Sequence, residues 1–315
     1  MSARLKGEII FDRYEVVREL GKGAMGAVYL VRDPRLGGSL WAFKELEVSL
    51  ILESERPEVE ALFQREMHLL SGFHHPGIPR VLHIYDKVDQ GLAFLMEWVD
   101  GVALDEVQDS LGRTFLAHEA LPISMQVCEV LHYLHLQTPP VVFRDLKPSN
   151  LMITPAGRIF FIDFGIARRH KPGGLKDTQE LGTPGYCAPE QYGHGQTTPA
   201  SDLYAAGTTL FHLLTGRDPQ SFNFQFPPSK ELGVEPESLS LVLDRCLKIK
   251  PDERYPSAQA LLRDLEEVWR QLTPGPNGAT QALGLARLRF HPRPTPASGG
   301  KSLWDVVMGL VRLWR

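Results

Sequence analysis

The sequence predicts an α+β protein in which a small, mostly-β unit precedes a larger, mostly-α unit. In the first hundred residues, short segments alternate apolar and polar positions, whereas later segments repeat apolar residues at helical spacing. The length of 315 residues fits two domains or one two-lobed unit, and it is enough for a sizeable core.

The first hundred residues contain several strand candidates and one helix candidate. The segments YEVVREL and GAVYLVRD alternate around a glycine turn, as the two strands of a hairpin do. The segment LWAFKELEV is a further candidate, and the apolar run LAFLMEWV ends at a turn signal, Asp100-Gly101. Residues 57–71 have helical periodicity, with Phe63, Glu66 and Leu70 on one stripe.

After residue 100 the pattern changes to helices. Four helices are predicted, at residues 116–136, 202–216, 237–248 and 256–272. The uncharged apolar stretch 203–216 is shorter than the ~20 residues that a membrane span requires, so it is predicted to be a buried core helix.

Composition and charge narrow the class of protein. The formal net charge is −4, which gives no reason to expect a nucleic-acid partner. The three cysteines, Cys128, Cys187 and Cys246, show neither disulfide nor zinc-site spacing, and the first residues lack the apolar core of a signal peptide. A cytoplasmic protein is therefore expected.

The last part of the chain differs in composition from the rest. Residues 273–302 are rich in Pro and Gly, contain no Asp or Glu, and are predicted to be a basic linker. Residues 303–315, LWDVVMGLVRLWR, place Leu303, Val307, Leu310 and Trp314 on one helical face. This segment suits a helix that contacts a membrane surface or docks on a protein, and a disordered tail is the alternative.

A glycine-rich motif, G-x-G-x-x-G-x-V, begins at Gly21 and includes Gly23, Gly26 and Val28. Glycines let a backbone approach a phosphate chain closely, and exposed N–H groups complement its negative charge. A strand follows the motif rather than a helix, which argues against a dinucleotide-binding fold, and no GK[ST] follows as in a Walker A loop.

Five more elements follow the glycine motif in a fixed order. They are Ala42-Phe43-Lys44 on a strand, Glu66 on the helix, the run FRDLKPSN at residues 143–150, Asp163-Phe164-Gly165 and Ala188-Pro189-Glu190. In this order the chain resembles the eukaryotic-like Ser/Thr protein kinases of bacteria, over about residues 11–272.

The resemblance implies a bilobal protein kinase fold. Its expected parts are a mostly-β N-lobe at residues 1–96, the hinge and a mostly-α C-lobe at residues 97–272, the linker at 273–302 and the amphipathic segment at 303–315. The implied activity is transfer of the γ-phosphate of ATP, with Mg2+, to Ser or Thr hydroxyls of protein substrates.

The resemblance also assigns roles to single residues. Lys44, oriented by Glu66, is expected to hold the α- and β-phosphates. Asp145 is expected to accept the proton of the substrate hydroxyl, and Lys147 to neutralise the γ-phosphate. Asn150 and Asp163 are the expected Mg2+ ligands.

The base of the nucleotide has its own expected contacts. The side chains that frame it are Val28, Ala42, Met96 and Met152, although both methionines also suit ordinary core positions. The hinge residues Glu97 and Val99 are expected to supply backbone hydrogen bonds.

Further expectations concern regulation and scaffolding. Thr178 is the expected site of activating autophosphorylation, with Arg144 as one partner of the phosphate. Thr183 is expected to contact Asp145 and Lys147, and Phe143 to pack against Phe164. Asp202 and the pair Glu190–Arg254 are expected scaffold residues.

The alternative function is that of a pseudokinase or nucleotide-binding scaffold. Pseudokinases typically lack one of the four central residues, and this sequence has Lys44, Asp145, Asn150 and Asp163. A small-molecule kinase of related fold is a third hypothesis, which the Ala188-Pro189-Glu190 segment disfavours.

Overall fold

The computed structural model describes residues 4–23, 26–47, 51–87, 91–165, 167–169, 182–192 and 195–273. These residues form two compact units, which meet in the chain between Asp100 and Gly101. Thr178, the predicted linker from residue 274 onward and the C-terminal segment lie outside the described residues.

The first unit contains a six-stranded antiparallel sheet and one helix. In sheet order, the strands are β1 (Ile9–Ile10), β2 (Tyr14–Gly23), β3 (Gly26–Asp33), β4 (Ser39–Leu46), β6 (Gly91–Glu97) and β5 (Val81–Lys87), and the helix is α1 (Arg56–Ser71). The strand and helix predictions for this part are confirmed, and β1 and β5 are two strands that the sequence patterns did not predict.

The strand register gives the sheet two distinct faces. Val28 lies beside Lys44, which lies beside Phe94, and Leu30, Ala42 and Met96 form a second row on that face. The ring of Phe63 on α1 lies 5.6 Å from that of Phe94, so α1 packs on this face. The opposite face carries the apolar core of the unit, which contains Ile10, Tyr14, Val16, Ala27, Tyr29, Val31, Phe43, Ala93 and Leu95.

The second unit is mostly helical. Its helices are α2 (Leu104–Leu111), α3 (Ala117–His135), α4 (Pro199–Thr215), α5 (Glu237–Cys246) and α6 (Ala258–Leu272). The four predicted helices are confirmed with small differences at their ends, and α2 is an additional one. The unit also has short strands. One precedes α2 and the others lie between α3 and α4: β7 (Val102–Ala103), β8 (Val141–Val142), β9 (Leu151–Ile153), β10 (Ile159–Phe161) and β11 (Arg168–Arg169).

Helix α4 forms the centre of the second unit. It packs against α3 and α5, and twelve of its residues are buried. A side chain at Gly207 could not be accommodated, because an added Cβ would lie 2.4 Å from the Cβ of Cys246 on α5. Among the described residues, none of the helices has both the length and the apolar composition needed to cross a bilayer.

Candidate active site

A buried ion pair joins β4 to α1 in the first unit. The Nζ atom of Lys44 lies 2.6 Å from Oε1 and 2.8 Å from Oε2 of Glu66. The Glu66 side chain is only 2% exposed, and that of Lys44 is 14% exposed. Helical periodicity favours Glu66 over the glutamates that precede it. The Glu66 carboxylate fixes the position of the Lys44 ammonium group.

The residues predicted to frame a base lie in both units. Val28, Ala42 and Met96 share the face of the sheet that carries Lys44. Glu97 donates its N–H to the carbonyl of Arg80 over 2.9 Å, so any contact of the Glu97 backbone with a base falls to its carbonyl oxygen. Met152 lies in the second unit, on β9 between Phe160 and Ala103 of the neighbouring strands.

The three glycines of the motif differ in their surroundings. A Cβ at Gly21 or Gly23 would meet nothing within 4 Å, whereas at Gly26 it would lie 1.9 Å from the carbonyl oxygen of Glu45. Because the backbone of β4 lies so close, only glycine fits at the start of β3. The open space at the other two positions is compatible with a ligand close to the backbone.

In the second unit, three predicted residues converge on the carboxylate of Asp145. Its Oδ1 accepts from the Thr183 hydroxyl over 2.7 Å and from the Thr183 N–H over 3.1 Å. Its Oδ2 accepts from Asn150 Nδ2 over 2.9 Å and lies 3.1 Å from Nζ of Lys147. Lys147 also donates to the Thr183 hydroxyl over 2.6 Å. A hydroxyl thus lies between a carboxylate and an ammonium group.

Asn150 and Asp163 have the donor chemistry that a magnesium ion requires. The Asn150 amide nitrogen donates to the Asp145 carbonyl over 2.7 Å as well as to its carboxylate, which leaves the amide oxygen as the atom able to bind a cation. No cluster of three or more His, Cys, Asp or Glu side chains suited to a metal occurs in the part of the chain that the structure describes. Two protein oxygens are enough for Mg2+, because this ion usually completes its coordination with water molecules and substrate phosphates.

Two residues of this region have left-handed backbone conformations that side chains disfavour. Arg144 has φ 75° and Asp163 has φ 63°. Such conformations cost of order 1–3 kcal/mol and cluster at functional sites, where the surrounding structure enforces them.

Buried hydrogen bonds enforce the conformation at Arg144. The carboxylate of Asp202, fully buried on α4, accepts the backbone N–H groups of Phe143 and Arg144, each over 2.9 Å. It also pairs with Nε2 of His135 at 2.9 Å. The side chain of Gln191 donates to the Arg144 carbonyl over 3.0 Å and accepts the Ala188 N–H over 3.0 Å.

The expected scaffold contacts are present. The rings of Phe143 and Phe164 meet edge to face with centroids 4.9 Å apart. Arg254 makes two hydrogen bonds to the Glu190 carboxylate, at 2.8 and 2.9 Å, and both side chains are buried.

Sequence reasoning missed His135 and Gln191. His135 lies near the end of the predicted helix 116–136, and Gln191 directly follows Ala188-Pro189-Glu190; these positions are the only signals that could have found them. Thr178, whose phosphate is the predicted partner of Arg144, lies outside the described residues.

A second hydrogen-bonded pair lies close to Thr183 in the chain. The Tyr186 hydroxyl is hydrogen-bonded to Nδ1 of His212 on α4, and the two rings stack. Burial raises the pKa of Tyr186 and lowers that of His212. The neutral forms of both residues are therefore favoured, with the phenol as donor and the imidazole as acceptor.

Comparison with known proteins places these features in one family. Residues 14–265 match the protein kinase domain. The chain is 34% identical, over 86% of its length, to a probable serine/threonine-protein kinase of Streptomyces coelicolor, and 32% identical, over 89%, to the serine/threonine-protein kinase PknB of Mycolicibacterium smegmatis. It spans 42% and 47% of the lengths of these two relatives.

Solved structures agree with the sequence comparison. The PknI kinase domain of Mycobacterium tuberculosis superposes with a TM-score of 0.64 at 29% identity, covering 84% of this chain and 99% of the other. The predicted fold, with a mostly-β part before a mostly-α part, is thereby confirmed. The chain belongs to the protein kinase domain family.

Proposed function

We propose that this chain is an ATP-dependent protein kinase that phosphorylates Ser and Thr hydroxyls of proteins. The observation that carries the proposal is the arrangement of Asp145, Lys147 and Thr183, in which an alcohol already lies between a proton acceptor and a cation. The match to the protein kinase family and the names of the relatives support the same activity.

Asp145 is the residue that accepts the proton of the substrate hydroxyl. Its two carboxylate oxygens receive hydrogen bonds from Thr183 and Asn150, which fix the orientation of the carboxylate. The substrate oxygen bonds to the γ-phosphorus as its proton passes to Asp145, and the bond from phosphorus to ADP breaks. Lys147 supplies positive charge beside the transferred group.

Lys44 binds the α- and β-phosphates in this proposal, and the buried Glu66 carboxylate keeps its ammonium group in place. Val28, Ala42, Met96 and Met152 frame the adenine, with backbone contacts from Glu97 and Val99. In this proposal, backbone N–H groups of the glycine-rich motif that begins at Gly21 bind the phosphates.

Mg2+ would be held by the side-chain oxygens of Asn150 and Asp163. When bound, the ion neutralises phosphate charge, which is its contribution to phosphoryl transfer. Asn150 has a second task, because its amide nitrogen orients Asp145.

The test is transfer of labelled phosphate from ATP to the chain itself and to a generic basic protein. We expect wild type to transfer, and Asp145→Ala and Asp163→Ala to lose at least about 100-fold in rate. Asp252→Ala, an exposed carboxylate in the turn Pro251–Glu253, is the matched control and keeps full activity. Equal incorporation by wild type and both site variants would contradict the proposal and favour the pseudokinase alternative.

Autophosphorylation of Thr178 is a further part of the proposal. A phosphate on that residue would add negative charge that Arg144, which precedes the catalytic Asp145, could bind. Mass spectrometry of active enzyme should find the phosphate, and unmodified Thr178 in fully active enzyme would contradict this part.

Association with a membrane surface through residues 303–315 also remains a proposal. The two tryptophans and the basic end of this segment support it. Co-sedimentation with anionic liposomes should require residues 273–315, and equal sedimentation of the 315-residue chain and a chain that ends at residue 272 would contradict the proposal.

A further inference from the structure

The end of β4 carries charged residues on alternating faces of the sheet. Lys44 points to the face on which α1 packs and pairs with Glu66. Successive side chains of a strand point to opposite faces, so Glu45 and the next glutamate, Glu47, lie on the other face. Each of these two carboxylates has a cation of the same unit beside it.

The first of these cations belongs to the N-terminal segment. Arg4 donates from Nε and Nη2 to the Glu45 carboxylate over 3.1 and 3.0 Å. Hydrogen bonds of this kind tie the segment before β1 to the strand that carries Lys44.

The second cation belongs to the glycine-rich motif itself. Nζ of Lys22, between Gly21 and Gly23, lies 2.7 Å from Oε2 of Glu47. The pair is unequal, because the Lys22 side chain is 41% exposed and that of Glu47 only 9%. Oε2 of Glu47, the atom that faces Nζ of Lys22, is inaccessible to solvent. The Glu47 carboxylate also raises the pKa of Lys22.

Two contacts therefore hold the end of β2 and the start of β3 against the end of β4. Before the turn, Lys22 lies opposite Ala27 in the hairpin and reaches Glu47. After the turn, Gly26 lies against the Glu45 carbonyl with no room for a side chain. A glycine-rich segment loses much conformational entropy when it binds a ligand, and a restraint present beforehand reduces that cost.

We infer that Lys22 is a positioning residue that, through its ion pair with Glu47, holds the end of β2, with Gly21 and Gly23, ready for the nucleotide. This inference rests on the proposed function, because it assigns the glycine-rich motif to ATP. Lys22 acts on the affinity for ATP, and the phosphoryl-transfer step depends on residues elsewhere. Loss of the Lys22–Glu47 ion pair should therefore raise the KM for ATP. It should change kcat by less than about twofold, because a partly exposed ion pair contributes little free energy.

The test compares Lys22→Met, Lys22→Glu, Glu47→Lys, the exchanged double variant and Lys22→Arg. Two measurements apply to each protein: KM and kcat with ATP varied, and the Kd of a non-hydrolysable ATP analogue with Mg2+. We expect the first three variants to raise KM and Kd about 2- to 5-fold. Lys22→Arg and the double variant should restore both values, because each again pairs a cation with an anion.

The matched control is the exposed pair Arg32–Glu15 on the same hairpin, whose atoms lie 3.4 Å apart. Arg32→Glu should leave KM, kcat and Kd unchanged. If the double variant stays as weak as Lys22→Glu, the charge at position 22 acts directly on the nucleotide, and the inference is overturned. Unchanged Kd in Lys22→Met also overturns it, whereas a wild type that binds no analogue and transfers no phosphate overturns the proposed function itself.

Discussion

Thr183 donates its hydroxyl hydrogen to Asp145 over 2.7 Å, although the two residues are 38 positions apart in the chain. The same hydroxyl accepts from Lys147. The segment that carries Thr183 is thereby attached to the candidate base, and its hydroxyl occupies the kind of position that a substrate alcohol needs.

The first prediction concerns this hydroxyl. Thr183→Ala removes the link between Asp145 and Lys147, so kcat should fall about 10- to 100-fold, because small displacements of reacting groups are costly. Thr183→Ser keeps the hydroxyl and should retain most of the activity. Steady-state phosphorylation of a basic protein measures both. Equal loss in the two variants would show that the methyl group, rather than the hydroxyl, matters.

The second prediction concerns the acceptor that orders the backbone before Asp145. In Asp202→Asn, either orientation of the amide presents its NH2 group to a backbone N–H, of Phe143 or of Arg144. The free energy of unfolding should fall by about 2–3 kcal/mol, and activity should fall with it. Urea denaturation measures the loss. The control Asp252→Asn, on an exposed turn, should change stability by less than about 0.5 kcal/mol; a similar loss there would refute the argument.

The third prediction compares two ion pairs that involve arginines of the second unit. Arg254 is 2% exposed and binds Glu190 through both of its terminal nitrogens, so Arg254→Ala leaves a buried carboxylate without its cation. The expected loss of stability is about 3–5 kcal/mol. Arg270→Ala removes an exposed pair with Glu267 on α6 and should cost less than about 1 kcal/mol. Urea unfolding of both variants measures the free energy of unfolding, and equal losses in the two variants would contradict the prediction.

The fourth prediction is a pH dependence caused by His212. Burial lowers its pKa in the folded chain, and the carboxylates of Asp218, Asp105 and Asp109 oppose this only in part. As pH falls below about 6.5, the unfolded chain binds a proton that the folded chain does not, so folding stability decreases. Above that pH the contribution is complete.

His212→Gln should remove this part of the decrease in the free energy of unfolding at acid pH. The part amounts to at most about 1.4 kcal/mol per pH unit. The measurement is urea unfolding at several values between pH 7.5 and 5, with exposed His68→Gln as the control. Parallel stability curves for wild type and His212→Gln would count against the prediction.

Much of the site could be predicted because the decisive signals are local. Helical spacing singles out Glu66 among five nearby glutamates, and the ion pair with Lys44 is present in the structure. Alternation in β3, β4 and β6 likewise puts Val28, Ala42 and Met96 on the same face as Lys44. Short elements escaped prediction, since β1 has two residues and α2 only two turns, too few to show a period.

The sequence by itself determined the order of the motifs, the elements that carry them and the family to which the chain belongs, because periodicity and motif spacing are properties of neighbouring residues. Only the tertiary structure decided which distant groups meet: His135 with Asp202, Gln191 with Arg144, and Lys22 with Glu47. The physical reason is that a hydrogen bond or ion pair depends on the distance and burial of two groups, and the packing of whole elements sets both.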